Sequence, residues 1–418
     1  MSILKKIKAS ALQFAILVSV IVALLLGSFM TLTHSHQFFK IQSQFLLDVI
    51  QESQLGIEYS NRTESSLVDP TEFENENLDV SVNSGFWGGF MTVKSTAVIK
   101  TKSFSKMGLV GAGVTNPKTS IYITDPQTPL VLVGNTQIKG TAYVSDKGIK
   151  AGVISGNYFQ GKELVHGDIR RSNAVLPVLD IRWLNGTRRL LNNVIPLGAE
   201  MISSSTQNTA SFFESTKMIY STGDLLLTED YIGNLIIKSD SEIIVSKYAR
   251  LTDVVLIAPK ITVKSGFTGA AHFLANSSIK IEENVLLSYP SSIILIDKNN
   301  DLKKNVPKGE EPIYISENTS ISGSIIYLPK ETANTHTNTS ITIRTNAMIN
   351  GGIYCQGNIE LLGTVIGSVY TNRFVADEFG SKYINHIYNG QILGEDINKQ
   401  YCGLPFKNVK KGVAKWLY

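Results

Sequence analysis

Three consecutive stretches, LIIKSDSEIIVSKYARLTD, VVLIAPKITVKSGFTGA and FLANSSIKIEENVLLSYP, superpose with a step of about 18 residues. Ile243, Ile261 and Ile279 align, as do Val245, Val263 and Ile281. Each stretch holds short β-branched strands between Gly, Asn or Ser turns, the pattern of a strand-rich repeat. A β-sandwich also alternates apolar and polar residues, but it does not repeat in phase at this step. A parallel β-helix does. One turn of such a solenoid is too small to bury its own inward side chains. Stacking turns about 4.8 Å apart lets Ile and Val form internal ladders and pairs the backbone of each turn with the next. Ile243, Val245, Ile261, Val263, Ile279 and Ile281 are therefore read as core.

A second phrase, Ile-x-Gly-x-apolar-Tyr, recurs at Ile138–Tyr143, Ile349–Tyr354 and, with Val first, Val365–Tyr370. A further copy, Ile321–Tyr327, carries one extra residue. The recurring Gly fits a tight corner that needs positive φ. Ile349 and Val365 join the core, and Tyr143, Tyr327, Tyr354 and Tyr370 are expected to stack at one corner or face. This phrase resembles bactofilins, the polymer-forming β-helix scaffolds of bacterial cells. The resemblance implies a fold and a scaffolding character, with self-association as one way of acting.

The N-terminus constrains location. Lys5, Lys6 and Lys8 precede an apolar run from Ala9 to Leu32 that includes Phe14, Leu17, Ile21, Leu24 and Phe29. As a helix the run is about 36 Å long, enough to cross a bilayer. It is longer than the apolar core of a cleaved signal peptide, and no small-x-small cleavage site follows. The lysines before the run place the N-terminus in the cytoplasm and the bulk of the chain outside it. Phe38, Phe45, Leu46, Val49 and Ile50 continue the helical spacing, so the second half of one long helix is expected to pack on a soluble part.

A few basic residues, then KASALQFAILVSVIVALLLGSFM, then an amphipathic continuation, resemble the N-terminus of type IV pilin-like proteins, closest to the minor pilins and pseudopilins. The resemblance implies a helix that anchors the subunit in the inner membrane and later packs in a filament core. Ala9-Ser10 stands where that family has the Gly of its peptidase site, and a cut after Ser10 would put Ala15 where it has Glu.

The expected organisation is a cytoplasmic tail (1–8), a transmembrane helix (9–33), an amphipathic extension (34–60), a small antiparallel β unit (61–125), first β-helix coils (126–181), an insertion (182–218), the main β-helix (219–374) and a C-terminal cap (375–418). The fold class is mainly β, a parallel β-helix with a small antiparallel unit, preceded by a long transmembrane helix. Residues 61–79 form an acidic loop without the spacing of a calcium site. Gly85-Phe-Trp-Gly-Gly-Phe90 is read as core rather than a sugar groove. The stretches 298–311 and 329–340 are hydrophilic loops. The basic, aromatic KNVKKGVAKWLY is a cap or a docking segment.

Charged residues make up 18% of the chain and the net charge is +4, without a basic stripe, which argues against nucleic-acid binding. Cys355 and Cys402 form no metal site or disulfide scaffold; they are buried small hydrophobes or pair once in an oxidising compartment. Some parallel β-helices degrade polysaccharides, which requires clustered carboxylates. The best local cluster is His166-Gly-Asp168-Ile-Arg170-Arg171, with no second acidic group at a repeat distance; Asp240, Glu242, Glu282, Glu283 and Glu360 are isolated. The expectation is a non-enzymatic structural protein of the bacterial inner membrane, single-pass, without metal or cofactor. Its partners would be the lipid bilayer and other envelope or pilin-like proteins. The alternatives are a surface-anchored carbohydrate-binding or carbohydrate-active β-helix protein and a bactofilin-like polymerising scaffold or adhesin.

Overall fold

The computed structural model describes residues 4–62, 71–75, 78–114, 118–124, 128–192, 196, 198–202, 208–297, 310–330, 338–407 and 409–417. The chain is mainly β with one long N-terminal helix, α1 (Leu4–Arg62). Four strands follow: β1 (Thr71–Asn75), β2 (Leu78–Trp87), β3 (Phe90–Ile99) and β4 (Lys102–Gly113). Two compact units result. One comprises Met1–Glu58, Pro70–Val82 and Ser95–Lys106; the other comprises Tyr59–Asp69, Asn83–Lys94 and Met107–Tyr418.

In the first unit, α1 turns one stripe onto the sheet. Val49, Ser53 and Ile57 are fully buried, at helical spacing. Gly56 lies in that stripe because the sheet approaches closely: a Cβ there would lie 3.2 Å from the Val80 and Val82 side chains and would overlap the Ser95 hydroxyl. Val80, Val82, Ala97 and Ile99 supply the apolar partners. At the rim, Lys106 donates to Gln54 at 2.5 Å and Lys100 lies 5.0 Å over the Phe45 ring.

The second unit is built from parallel strands in tiers. One inward row runs Leu225, Ile243, Ile261, Ile279, Ile313, Ile341, Ile359 and Phe374, each paired with the next. A second runs Leu227, Val245, Val263, Ile281, Ile315, Ile343 and Leu361. The sequence step lengthens between Ile279 and Ile313 and between Ile313 and Ile341, where the two hydrophilic stretches are inserted. Ile349 and Val365 pair with each other. Ile243, Val245, Ile261, Val263, Ile279, Ile281, Ile349 and Val365 are all buried.

The phrase with the recurring Gly has a steric meaning. Ser291, Gly323, Gly351 and Gly367 pair in one row. The three glycines have φ of 149°, 153° and 148°. A Cβ on Gly351 would overlap the Gly323 carbonyl of the neighbouring tier. Here the backbones of successive tiers touch, and only Gly leaves room.

Two expectations change. Tyr354, Tyr370, Tyr122 and Tyr143 form one outward row, continued on the other side by Ile326, Ile294, Leu274 and Ile257. Tyr370, Tyr122 and Tyr143 stack with ring centroids 6.0 and 5.5 Å apart. Tyr327 is not in the row. It pairs with Cys355 and packs in the inward core, because the extra residue in its copy turns its side chain to the other face.

A stack that followed chain order would begin with 126–181 and place 375–418 over its last tier. The pairing order differs. Val369 pairs with Ile121, Ile392 with Ile138 and Ile387 with Leu132, so the strands Thr119–Ile123, Leu130–Val133 and Gln137–Lys139 continue the stack beyond the 364–393 tier. Phe159, Leu164 and Val165 pack against the inward core beyond them. The C-terminal segment crosses the outer face instead of an end. Phe406 packs edge-on to Tyr370 and Tyr354. The Tyr401 hydroxyl donates to the Gly323 carbonyl and accepts from the Gly352 amide. KNVKKGVAKWLY is neither an end cap nor a free docking segment: Lys411–Leu417 pairs antiparallel with β4. The same outer face carries α2 (Ile181–Leu191), capped by Asp180 and burying Trp183, Thr187 and Leu191.

Candidate membrane and assembly surface

The sequence from Ala9 to Phe39 contains no charged residue. In α1 the side chains of Leu12, Phe14, Leu17, Ile21, Leu24 and Phe29 point outward, and Leu24 and Phe14 are each 67% exposed. The span is long and apolar enough to cross a membrane, and no part of its apolar window is buried against protein. Two of its hydroxyls are satisfied within the helix: Ser19 donates to the Ile16 carbonyl at 2.8 Å and Thr31 to the Gly27 carbonyl at 2.7 Å. A lipid-facing helix requires this, since hydrocarbon supplies no acceptor. The side chains of Lys5, Lys6 and Lys8 lie outside the described residues.

The exposed apolar surface does not stop at bilayer length. Phe38, Phe39, Ile41, Leu46 and Leu47 are also exposed, Leu47 at 60%. From Leu12 to Leu47 the axis measures about 53 Å at 1.5 Å per residue, against about 30 Å of hydrocarbon. After Lys8 the next charged side chain is Lys40, and farther along Gln44 donates to Asp48 at 2.8 Å. Beyond what lipid can cover, the helix therefore still presents aromatic and aliphatic side chains.

The residues considered for chemistry are dispersed or already engaged. His166 lies 3.1 Å from Glu163, Arg170 2.9 Å from Asp168 and Arg171 2.7 Å from Asp146, all at the surface. Glu242 accepts from Thr262 at 2.6 Å and Glu282 from Lys264 at 2.9 Å, contacts between neighbouring tiers. The Tyr220 hydroxyl donates to Asp240. Among the described residues no three His, Cys, Asp or Glu converge as metal ligands. Cys355 and Cys402 are free and buried; burial pushes the Cys355 thiol far up and the Cys402 thiol to about 11.

One polar cluster escaped the sequence reading. His272 is fully buried beneath Trp87 to Phe90, and Asp253 holds the Lys415 ammonium with both carboxylate oxygens at 2.7 Å. The only local sign was Gly88-Gly89, which permits close approach. The aromatic stretch around it is core, as expected: Trp87 and Phe90 are buried.

No known protein family matches the chain, and no curated protein matches it. Among solved structures the chain is similar to the competence-associated pilin ComZ from Thermus thermophilus. The identity is 9%, over 89% of this chain and 96% of that one, with a TM-score of 0.20. At that score the two chains do not superpose as one fold, and the likeness supports no conclusion.

Proposed function

We propose that the chain is a membrane-anchored, non-enzymatic structural subunit of a pilin-like or secretion-linked assembly, and that its tiers form a parallel β-helix held outside the cytoplasm. The observation that carries the reading is the uncovered apolar surface of α1. About 20 residues of it fill a bilayer, and the remaining exposed turns around Phe38 to Leu47 need a protein partner. A neighbouring helix of the same kind fits that need, because a long apolar stripe buries best against another. The solenoid reading is supported by the inward rows, which advance one tier at a time in parallel. The positive-inside rule places Lys5, Lys6 and Lys8 in the cytoplasm. Reporter fusions after residue 62 test the orientation. A periplasm-dependent reporter is expected to be active and a cytoplasm-dependent one silent. The reverse pattern overturns the placement, and activity of neither points to a chain that is not inserted.

A further inference from the structure

The stretch Phe86-Trp87-Gly88-Gly89-Phe90 sits in a niche on the tiered strands Arg250–Val263, Thr268–Ile281 and Leu286–Ile296. Trp87 Nε1 donates to the Asp253 carbonyl at 2.5 Å, and the Gly89 amide donates to Ser292 Oγ at 2.9 Å. The Gly88 carbonyl accepts from Trp183 Nε1 at 3.0 Å. The floor of the niche is His272. Its ring lies edge-on to Phe90 with centroids 5.8 Å apart, and a Cβ on Gly88 would overlap it. Nδ1 is 2.9 Å from Ser292 Oγ, whereas Nε2 has no hydrogen-bond partner among the described residues.

The surroundings offer nothing to a second proton. The tip itself carries no titratable group, and α2 contributes Trp183. The strand Lys411–Leu417 contributes the Lys415 ammonium, a repelling charge. The Asp253 carboxylate, whose backbone carbonyl holds Trp87, is committed to Lys415. The Tyr289 phenol, edge-on to Phe90, donates to the Cys402 carbonyl at 2.7 Å. An imidazolium here would be buried with one N–H unanswered, a cost normally avoided by pairing or by admitting water. The strands beneath are hydrogen-bonded to tiers on both sides. The tip is held by three hydrogen bonds and apolar contact, so it yields first.

We propose that the tip of the β2–β3 hairpin is an acid-sensitive latch: proton uptake by His272 drives Trp87–Phe90 out of the niche. Burial, assisted by Lys415, holds the imidazole at about 3 while the tip is seated. Once water reaches the ring its affinity for a proton returns to about 6.5. The open form therefore binds the proton and the closed form does not. Opening strengthens as pH falls below about 6.5 and levels off near 3, by up to tenfold per pH unit.

The test is hydrogen exchange on the full chain in detergent micelles. Between pH 7.5 and pH 5, one-proton linkage lowers the protection factors of amides in 83–94 by about 30-fold. Peptides covering 243–263 and 268–281 keep theirs, and in His272→Gln the tip's protection does not change with pH. An equal loss in His272→Gln, a loss shared by the tier peptides, or no loss in the wild type overturns the latch. If His272→Gln does not fold, an NMR titration of the wild-type imidazole replaces it. Proton uptake is then expected to coincide with release of the tip, and uptake with the tip still protected refutes the proposal.

Discussion

Gly351 offers a sharp test of how the tiers meet. Its φ of 153° and the overlap of an added methyl with the Gly323 carbonyl make two separate demands. Gly351→Ala places an L-residue in a left-handed conformation, at about 1–2 kcal/mol. It also forces two hydrogen-bonded tiers apart, an overpacking cost of roughly 1–3 kcal/mol. The sum is about 2–5 kcal/mol. Gly148→Ala is the control. Gly148 also has a positive φ, 65°, but a Cβ there meets nothing within 4 Å. It should lose only the conformational part, about 1–2 kcal/mol. Urea unfolding of the full chain in detergent, followed by circular dichroism, reads both midpoints. Gly351→Ala should unfold at distinctly lower urea than Gly148→Ala. Equal shifts would mean that the backbones of successive tiers do not touch at the glycine row, and the steric account of the repeated phrase would fail.

Ile261→Asp should destabilise the unit severely, because a carboxylate in the inward row has neither partner nor water, while Lys260→Asp on the exposed side should leave the melting temperature nearly unchanged. Iodoacetamide at pH 8 should modify neither Cys355 nor Cys402 in the folded chain and both after denaturation, since burial raises both thiols and hides them; labelling of the native protein would contradict their environment. A panel of polysaccharides should yield no lyase or hydrolase activity, and activity lost on Asp168→Ala would reverse the non-enzymatic reading.

The parts of the fold legible in the sequence share a local cause. Ile243, Ile261 and Ile279 are separated by a constant step, so a one-dimensional pattern sufficed to find a row that the structure pairs. The glycine phrase was legible for the same reason. Tyr327 misled because a single inserted residue reverses a side chain without erasing the motif around it. The stack order was not legible: nothing near Val369 or Ile121 announces that they pair, since the pairing joins segments far apart in the chain. His272 was invisible as well. A lone His just before FLANSSIKIE gives no hint of what covers it, and its surroundings come from three distant segments. The apolar surface of α1 was legible in full, because an anchor is written in composition and length alone.

On the proposed reading, α1 stays on the mature chain as its anchor. Intact-mass measurement of the protein extracted from washed membranes tests it directly. The expected mass still contains the apolar run from Leu12 to Leu32, and the protein is expected in the membrane fraction, resistant to carbonate extraction. A start near residue 11 would preserve the anchor and add pilin-type processing. A soluble mature chain starting near residue 37 would mean that α1 is a cleaved signal and not an anchor.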